Sequence, residues 1–212
     1  MKSTISVKKY KAIYRLLDRV SPVDFDCGIL CGSICCTCEY KPENMDPSEY
    51  TAASDVNTGE YMGLYLLPGE ETIHLNTSGS VSDESSQWLN WGHIMTDDYA
   101  FPESWHGKVY FIRCHGPGKC NRSMRPIQCR TFPLEPHIDE SGEFHMILDC
   151  DDLPYECPVL EQAYEGVSLN GRFIQATYTV WKHLIRDPYI YDLVKEDSAM
   201  RIKDNAEIVI VI

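Results

Sequence analysis

Residues 104–134 read SWHGKVYFIRCHGPGKCNRSMRPIQCRTFPL, and this stretch decides the fold class. Its opening run, Lys108 to Arg113 (KVYFIR), is aromatic and β-branched, which predicts a strand. The residues after that run set Cys114, Cys120 and Cys129 among glycines and prolines. The stretch holds six bases (Lys108, Arg113, Lys119, Arg122, Arg125 and Arg130) and no acid. Metal-bound cysteine is a thiolate, and nearby cations lower a thiol pKa and offset the charge of such a site. The plainer alternatives are a solvated basic patch or an anion site for a partner.

Working outward, two more strands appear. Tyr61 to Leu67 (YMGLYLL) predicts one, closed by Pro68-Gly69, a type II turn pair. Glu143 to Leu148 (EFHMIL) predicts another, after the turn-like Asp139-Glu140-Ser141-Gly142. Helices lie outside these. Tyr10, Ile13, Tyr14, Leu17 and Val20 form an apolar stripe at helical spacing, with Ser6 as N-cap and Pro22 marking the end. Arg172 to Arg186 predicts a second helix with Phe173, Val180, Trp181 and Leu184 on its core face. Asp187-Pro188 reads as the cap and first residue of a third. The tail Ile208 to Ile212 (IVIVI) predicts a strand that must be paired, because exposed it would aggregate. Residues 23–40, 41–60 and 74–87 read as loops, and Trp88, Trp91 and Trp105 as caps on a small core. The expected architecture is α+β in a single domain, 1–212. It comprises an N-terminal helix (1–22), a small cysteine-rich metal-binding core with short strands (23–161), and C-terminal helices and tail (162–212).

Composition narrows the function classes. The chain has 212 residues, a net charge of -13 and ten cysteines. No apolar run reaches the roughly 18–20 residues of a membrane span, and the acidic balance argues against general nucleic-acid binding. By segment, residues 1–20 carry +5, 21–103 carry -14, 104–134 carry +6 and 135–212 carry -10, so the charge is concentrated rather than spread. The N-terminus has bases but no continuous apolar segment and no small-residue cleavage site, which predicts a cytoplasmic location. In a reducing compartment many cysteines mean metal more often than disulfide; an extracellular disulfide framework is the alternative.

The cysteines fall into two groups. Cys27-Gly-Ile-Leu-Cys31-Gly-Ser-Ile-Cys35-Cys36-Thr-Cys38 opens the series, and Gly28 and Gly32 let it curl. Cys114, Cys120 and Cys129 come next at gaps of five and eight residues, with Cys157 further on. A disulfide between adjacent Cys35 and Cys36 would be strained. No pair has zinc-finger C-x2-C spacing and the bacterial ferredoxin run is absent, so soft-metal binding is indicated while the metal stays open. Cys38 and Cys150 read as ordinary thiols, the latter because Asp149, Asp151 and Asp152 surround it.

At this point the sequence resembles the YkgJ-like cysteine-cluster family, described as zinc- or iron-chelating and named for a CxxCxxCC motif. The resemblance rests on DCGILCGSICC at 26–36, CNRSMRPIQCRTFPL at 120–134 and CPVLE at 157–161. GLYLLPGEE at 63–71 is similar to a segment of an uncharacterised bacterial subgroup. The first motif departs from the family pattern by one extra residue in each gap. The resemblance implies eight metal ligands: Cys27, Cys31, Cys35, Cys36, Cys114, Cys120, Cys129 and Cys157. Arg125 and Arg130 would then screen the thiolates, or pair with Glu70 and Glu71, while Pro126 and Pro133 stiffen the chain about Cys129.

The expected function is a soluble protein holding Zn2+ or an iron–sulfur cluster through cysteine thiolates. Its expected partner is the metal ion, with no nucleic acid and no membrane. One site of four ligands and two sites sharing eight remain equally open. The alternative is a cluster-associated modification enzyme, since the family motif is similar to that of flagellin lysine N-methylases. Against it, GxGxxG, P-loop, HExxH and GxSxG motifs are absent, and the S-adenosylmethionine radical spacing C-x3-C-x2-C is missed by one residue at Cys35. A purely binding module with acidic flanks is the third reading.

Overall fold

The computed structural model describes residues 2–36, 63–75, 91–95, 101–113, 125–151, 153 and 155–212. The first helix, α1 (Val7–Leu17), starts where Ser6 caps it and buries Tyr10, Ile13, Tyr14 and Leu17, the stripe its spacing announced. Two short turns come next, α2 (Gly28–Cys31) and a 3-10 turn at Ile34–Cys36. The stretch expected as loop over 23–40 is therefore partly helical. Gly32 (φ +64°) ends α2 in the left-handed region.

Strand β1 (Gly63–Tyr65) is shorter than the run read from sequence; positions 61 and 62 lie outside the described residues. The turn after it is as expected. The Glu70 amide donates to the Leu67 carbonyl at 2.9 Å, and Gly69 sits at φ +90° in the third position of the turn. A Cβ at Gly69 would also stand 2.8 Å from Ser3 Cβ, so glycine is required twice over. Helix α3 (Glu71–Leu75) comes after the turn and buries His74. This corrects the loop expected from residue 74; the rest of that loop, 76–87, lies outside the described residues.

Strands β2 (Trp91–Met95) and β3 (Lys108–Arg113) complete an antiparallel sheet of order β1-β3-β2. β3 spans the strand read from KVYFIR. Trp105 is buried beside Val109 and stacks on Phe101, while Trp88 and the Trp91 side chain lie outside the described set.

A second layer begins at α4 (Ile127–Thr131), then β4 (Leu134–Ile138) and β5 (Phe144–Leu148), an antiparallel hairpin. Its turn is the expected one, with the Gly142 amide donating to Asp139 O. Pro136 interrupts β4 and hides it from a pattern reading. The strand tolerates this proline because its cross-strand partner Met146 directs both its amide and its carbonyl to the C-terminal tail instead. That tail pairs along β5: Met146 N donates to Ile212 O at 2.8 Å and Leu148 N to Val209 O at 3.0 Å. The expected pairing of the tail is thus met by the free edge of β5.

Helices α5 (Pro158–Tyr164), α6 (Gly171–Leu184) and α7 (Pro188–Lys203) close the chain. Phe173, Val180, Trp181 and Leu184 of α6 are all buried, as their spacing required. Asp187 caps α7 through Oδ1, while its Oδ2 accepts from Ser3 Oγ (2.8 Å), Thr4 N (2.6 Å) and Thr4 Oγ1 (2.9 Å), which moors the N-terminus. The architecture is α+β. The main core is apolar, built by α1, α4, the hairpin, α6 and α7, and no described cysteine is fully buried in it. No helix among the described residues is long and apolar enough to cross a membrane.

Candidate metal centre

Glu70 ties α1, the β1 turn and the start of α4 together. It is fully buried, and its carboxylate accepts from Tyr14 Oη (2.6 Å), Ile127 N (2.8 Å) and Leu67 N (3.1 Å). Burial raises its pKa, and those three donors pull it back. The bond to Ile127 N pins the first turn of α4, and Arg125 and Cys129 lie at either end of that turn. His74 Nε2 stands 3.0 Å from the same Tyr14 hydroxyl, and burial lowers its pKa to about 4.

Against this scaffold, α2 and the 3-10 turn present three cysteines to the start of α5. A cavity of about 40 Å³ is lined by Cys27, Cys31, Cys35 and Cys157, with Arg125, Phe132, Tyr155 and Val159 among the other walls. At Gly28 a Cβ would meet Ser33 Oγ at 2.5 Å, a contact the serine side chain can relieve by rotating. Burial raises the Cys157 thiol and the neighbouring Cys31 raises it further, while the Val159 and Leu160 amides work the other way. Burial also raises the Tyr155 phenol, with Cys35, Asp149, Cys157 and Cys129 close enough to add to it. Cys129 is therefore near the cavity without lining it. Cys31, Cys35, Cys150 and Cys157 carry free thiols.

Of the eight cysteines that the family resemblance implies as ligands, then, four share one cavity and a fifth stands close by. Cys114, Cys120 and the Cys36 side chain lie outside the described residues, as does Cys38. Cys150 is held apart, among Asp149, Asp151, Glu135 and Arg201, and burial first and those acids next raise its thiol. Among the described residues no three cysteine sulfurs lie within 4.8 Å of one another. Zinc–thiolate bonds of about 2.3 Å set tetrahedral sulfurs roughly 3.8 Å apart, so this cavity gathers the thiols without presetting a closed cage. A water needs about 10–15 Å³, so an ion has room.

The two arginines part company. Arg125 lines the cavity and stands 3.9 Å from Asp26. Arg130 turns the other way: it pairs with Asp18 at 2.6 Å, donates to the Arg125 carbonyl, and lies over the Tyr14 ring at 4.3 Å. Arg130 makes its ion pair with Asp18, because α1 packs directly on α4, and its charge also acts on the buried Glu70 carboxyl, lowering its pKa. Sequence reasoning passed over Asp26, Phe132 and Tyr155 as neighbours of the site. Asp26 and Tyr155 sit one and two residues before Cys27 and Cys157, the one local signal that could have raised them. No family model, curated protein or solved structure matches the chain.

Proposed function

We propose that the chain is a metal-binding protein whose cysteine thiolates hold Zn2+ or an iron–sulfur cluster, in a reducing compartment such as the cytoplasm where thiols persist. One observation carries this reading: Cys27, Cys31 and Cys35 meet Cys157, more than a hundred positions away, around a single cavity. The four cysteines come from two segments far apart in sequence, and none of them belongs to the main apolar core. The donor set is soft, which suits zinc and iron–sulfur chemistry over calcium or magnesium. Arg125 supplies a positive charge beside thiolates that would otherwise repel one another. A closed four-thiolate zinc site is structural, whereas a cluster would support electron transfer or redox sensing.

The test is purification under anaerobic conditions without chelator, followed by elemental analysis and an absorption spectrum. Bound zinc without colour, or iron with sulfide and a visible spectrum, is the expected result. A folded, colourless, metal-free chain that takes up neither metal would overturn the proposal.

A further inference from the structure

The hairpin sheet has two edges, and the chain treats them differently. On the outer edge of β4, Pro136 has no N–H to offer and its carbonyl accepts from Arg201 Nη1 at 3.3 Å. The Ile138 amide on the same edge donates to Ser198 Oγ at 2.9 Å. Helix α7 therefore covers that edge. The opposite edge belongs to the C-terminal tail. Leu148 N donates to Val209 O and Val211 N to Met146 O, and Ile210 stands opposite Ile147 between those two bonds. A residue so placed in an antiparallel pair turns its own N–H and C=O away from the neighbouring strand. Among the described residues, nothing bonds to either main-chain group of Ile210.

The side chains match that open edge. Val209 and Val211 pack against the main core, while Ile210 is 55% exposed and Ile212 38%. Edge strands are ordinarily blunted by a charge or a proline, yet Ile208 to Ile212 carries neither. The run also reads the same in both directions, Ile-Val-Ile-Val-Ile, centred on Ile210. Set antiparallel against a copy of itself about a two-fold axis at Ile210, it places isoleucine opposite isoleucine and valine opposite valine. Each Ile210 then exchanges both of its outward groups with its mate. Glu207, the nearest acid in sequence, falls outside the five paired positions, so no like charges stand opposite each other. The strand that fits this edge is the strand the chain already carries.

We infer that the tail edge is a self-association surface, through which two copies of the chain pair strand to strand about a two-fold axis. The two hairpins and their tails join into one sheet, in the order β4-β5-tail-tail-β5-β4. Because α7 covers the far edge of each hairpin, pairing stops at two copies instead of growing into a fibre. So short a strand buries less than the roughly 1,200 Å² of a standard interface, which makes the dimer weak and reversible. Sedimentation equilibrium of the full, reduced chain tests this, from about 10 µM to about 1 mM, a range that spans weak dissociation constants. The mean mass should climb towards twice that of one chain, and the Ile210 amide should exchange with solvent more slowly as it does. Ile210→Lys and Ile210→Pro change the outward position, while the bonds to β5 come from Val209, Val211 and Ile212. Both variants should therefore stay monomeric over that range, with Leu148 N still protected from exchange. A parent chain that stays monomeric at the top concentration, an Ile210 amide indifferent to concentration, or variants that dimerise as the parent does would overturn the inference.

Discussion

Glu70 shows how one side chain can hold three segments. Its carboxylate receives donors from α1, from the β1 turn and from the start of α4. Truncation orphans the buried Leu67 and Ile127 amides, while the Tyr14 hydroxyl still has His74 Nε2 at 3.0 Å; at about 1–3 kcal/mol per orphaned amide, Glu70→Ala should destabilise the chain by about 2 kcal/mol or more in urea unfolding. Glu70→Gln, which keeps an acceptor oxygen, should cost clearly less. Equal and small losses for both would refute this role. Only its bond to Leu67 N is local; the Tyr14 and Ile127 donors stand 56 and 57 positions away, so Pro68-Gly69-Glu70-Glu71 does not announce them. The partner of Arg130 is hidden for the same reason, since Asp18 is 112 residues distant. Asp187 is legible as a cap because that role is local; its second use, mooring Ser3 and Thr4, is not.

Among elements, those with a strong period or a cap are readable. α1, α6 and α7 declare themselves by apolar spacing and by Ser6 and Asp187, and β3 and β5 by runs of β-branched and aromatic residues. α3 and α4 are five residues each, too short to show a period, and Pro136 hides β4. The C-terminal tail is legible as a strand in need of a partner, but its place on β5 depends on which edge the fold leaves open. Deleting Val209–Ile212 removes the bonds from Leu148 N, Met146 N and Val211 N and uncovers that edge. Three hydrogen bonds of about 0.5–1.5 kcal/mol each imply a loss of about 2–4 kcal/mol, with aggregation at higher concentration. A truncated chain with the parent's urea midpoint would contradict the pairing.

At the scale of the molecule, charge shapes both stability and site. Burial pushes Asp197 up to about 6, with Asp151 and Glu196 adding to the effect and Arg201 opposing it. An aspartate in the unfolded chain titrates near 3.9, so this group favours folding at low pH and loses that contribution as pH rises through about 6. Asp197→Asn should therefore match the parent at pH 4 and exceed it at pH 8, by on the order of 1 kcal/mol after screening by solvent. Equal stabilities at pH 8 would count against it. The same partition of charge makes 104–134 conspicuous in the sequence, and one of its bases, Arg125, does stand beside the thiols. The spacing of Cys27, Cys31 and Cys35 makes their local grouping readable; the arrival of Cys157 is a long-range event that spacing does not encode.

The central claim, that these thiols bind metal together, is tested most directly by titrating the full, reduced chain with Co2+ under anaerobic conditions. Thiolate coordination produces an intense near-ultraviolet charge-transfer band that nitrogen and oxygen ligands do not. The account predicts that band in the parent and its loss in Cys31→Ser/Cys157→Ser. A folded parent chain that shows no such band, or a band indifferent to Cys31 and Cys157, would contradict it.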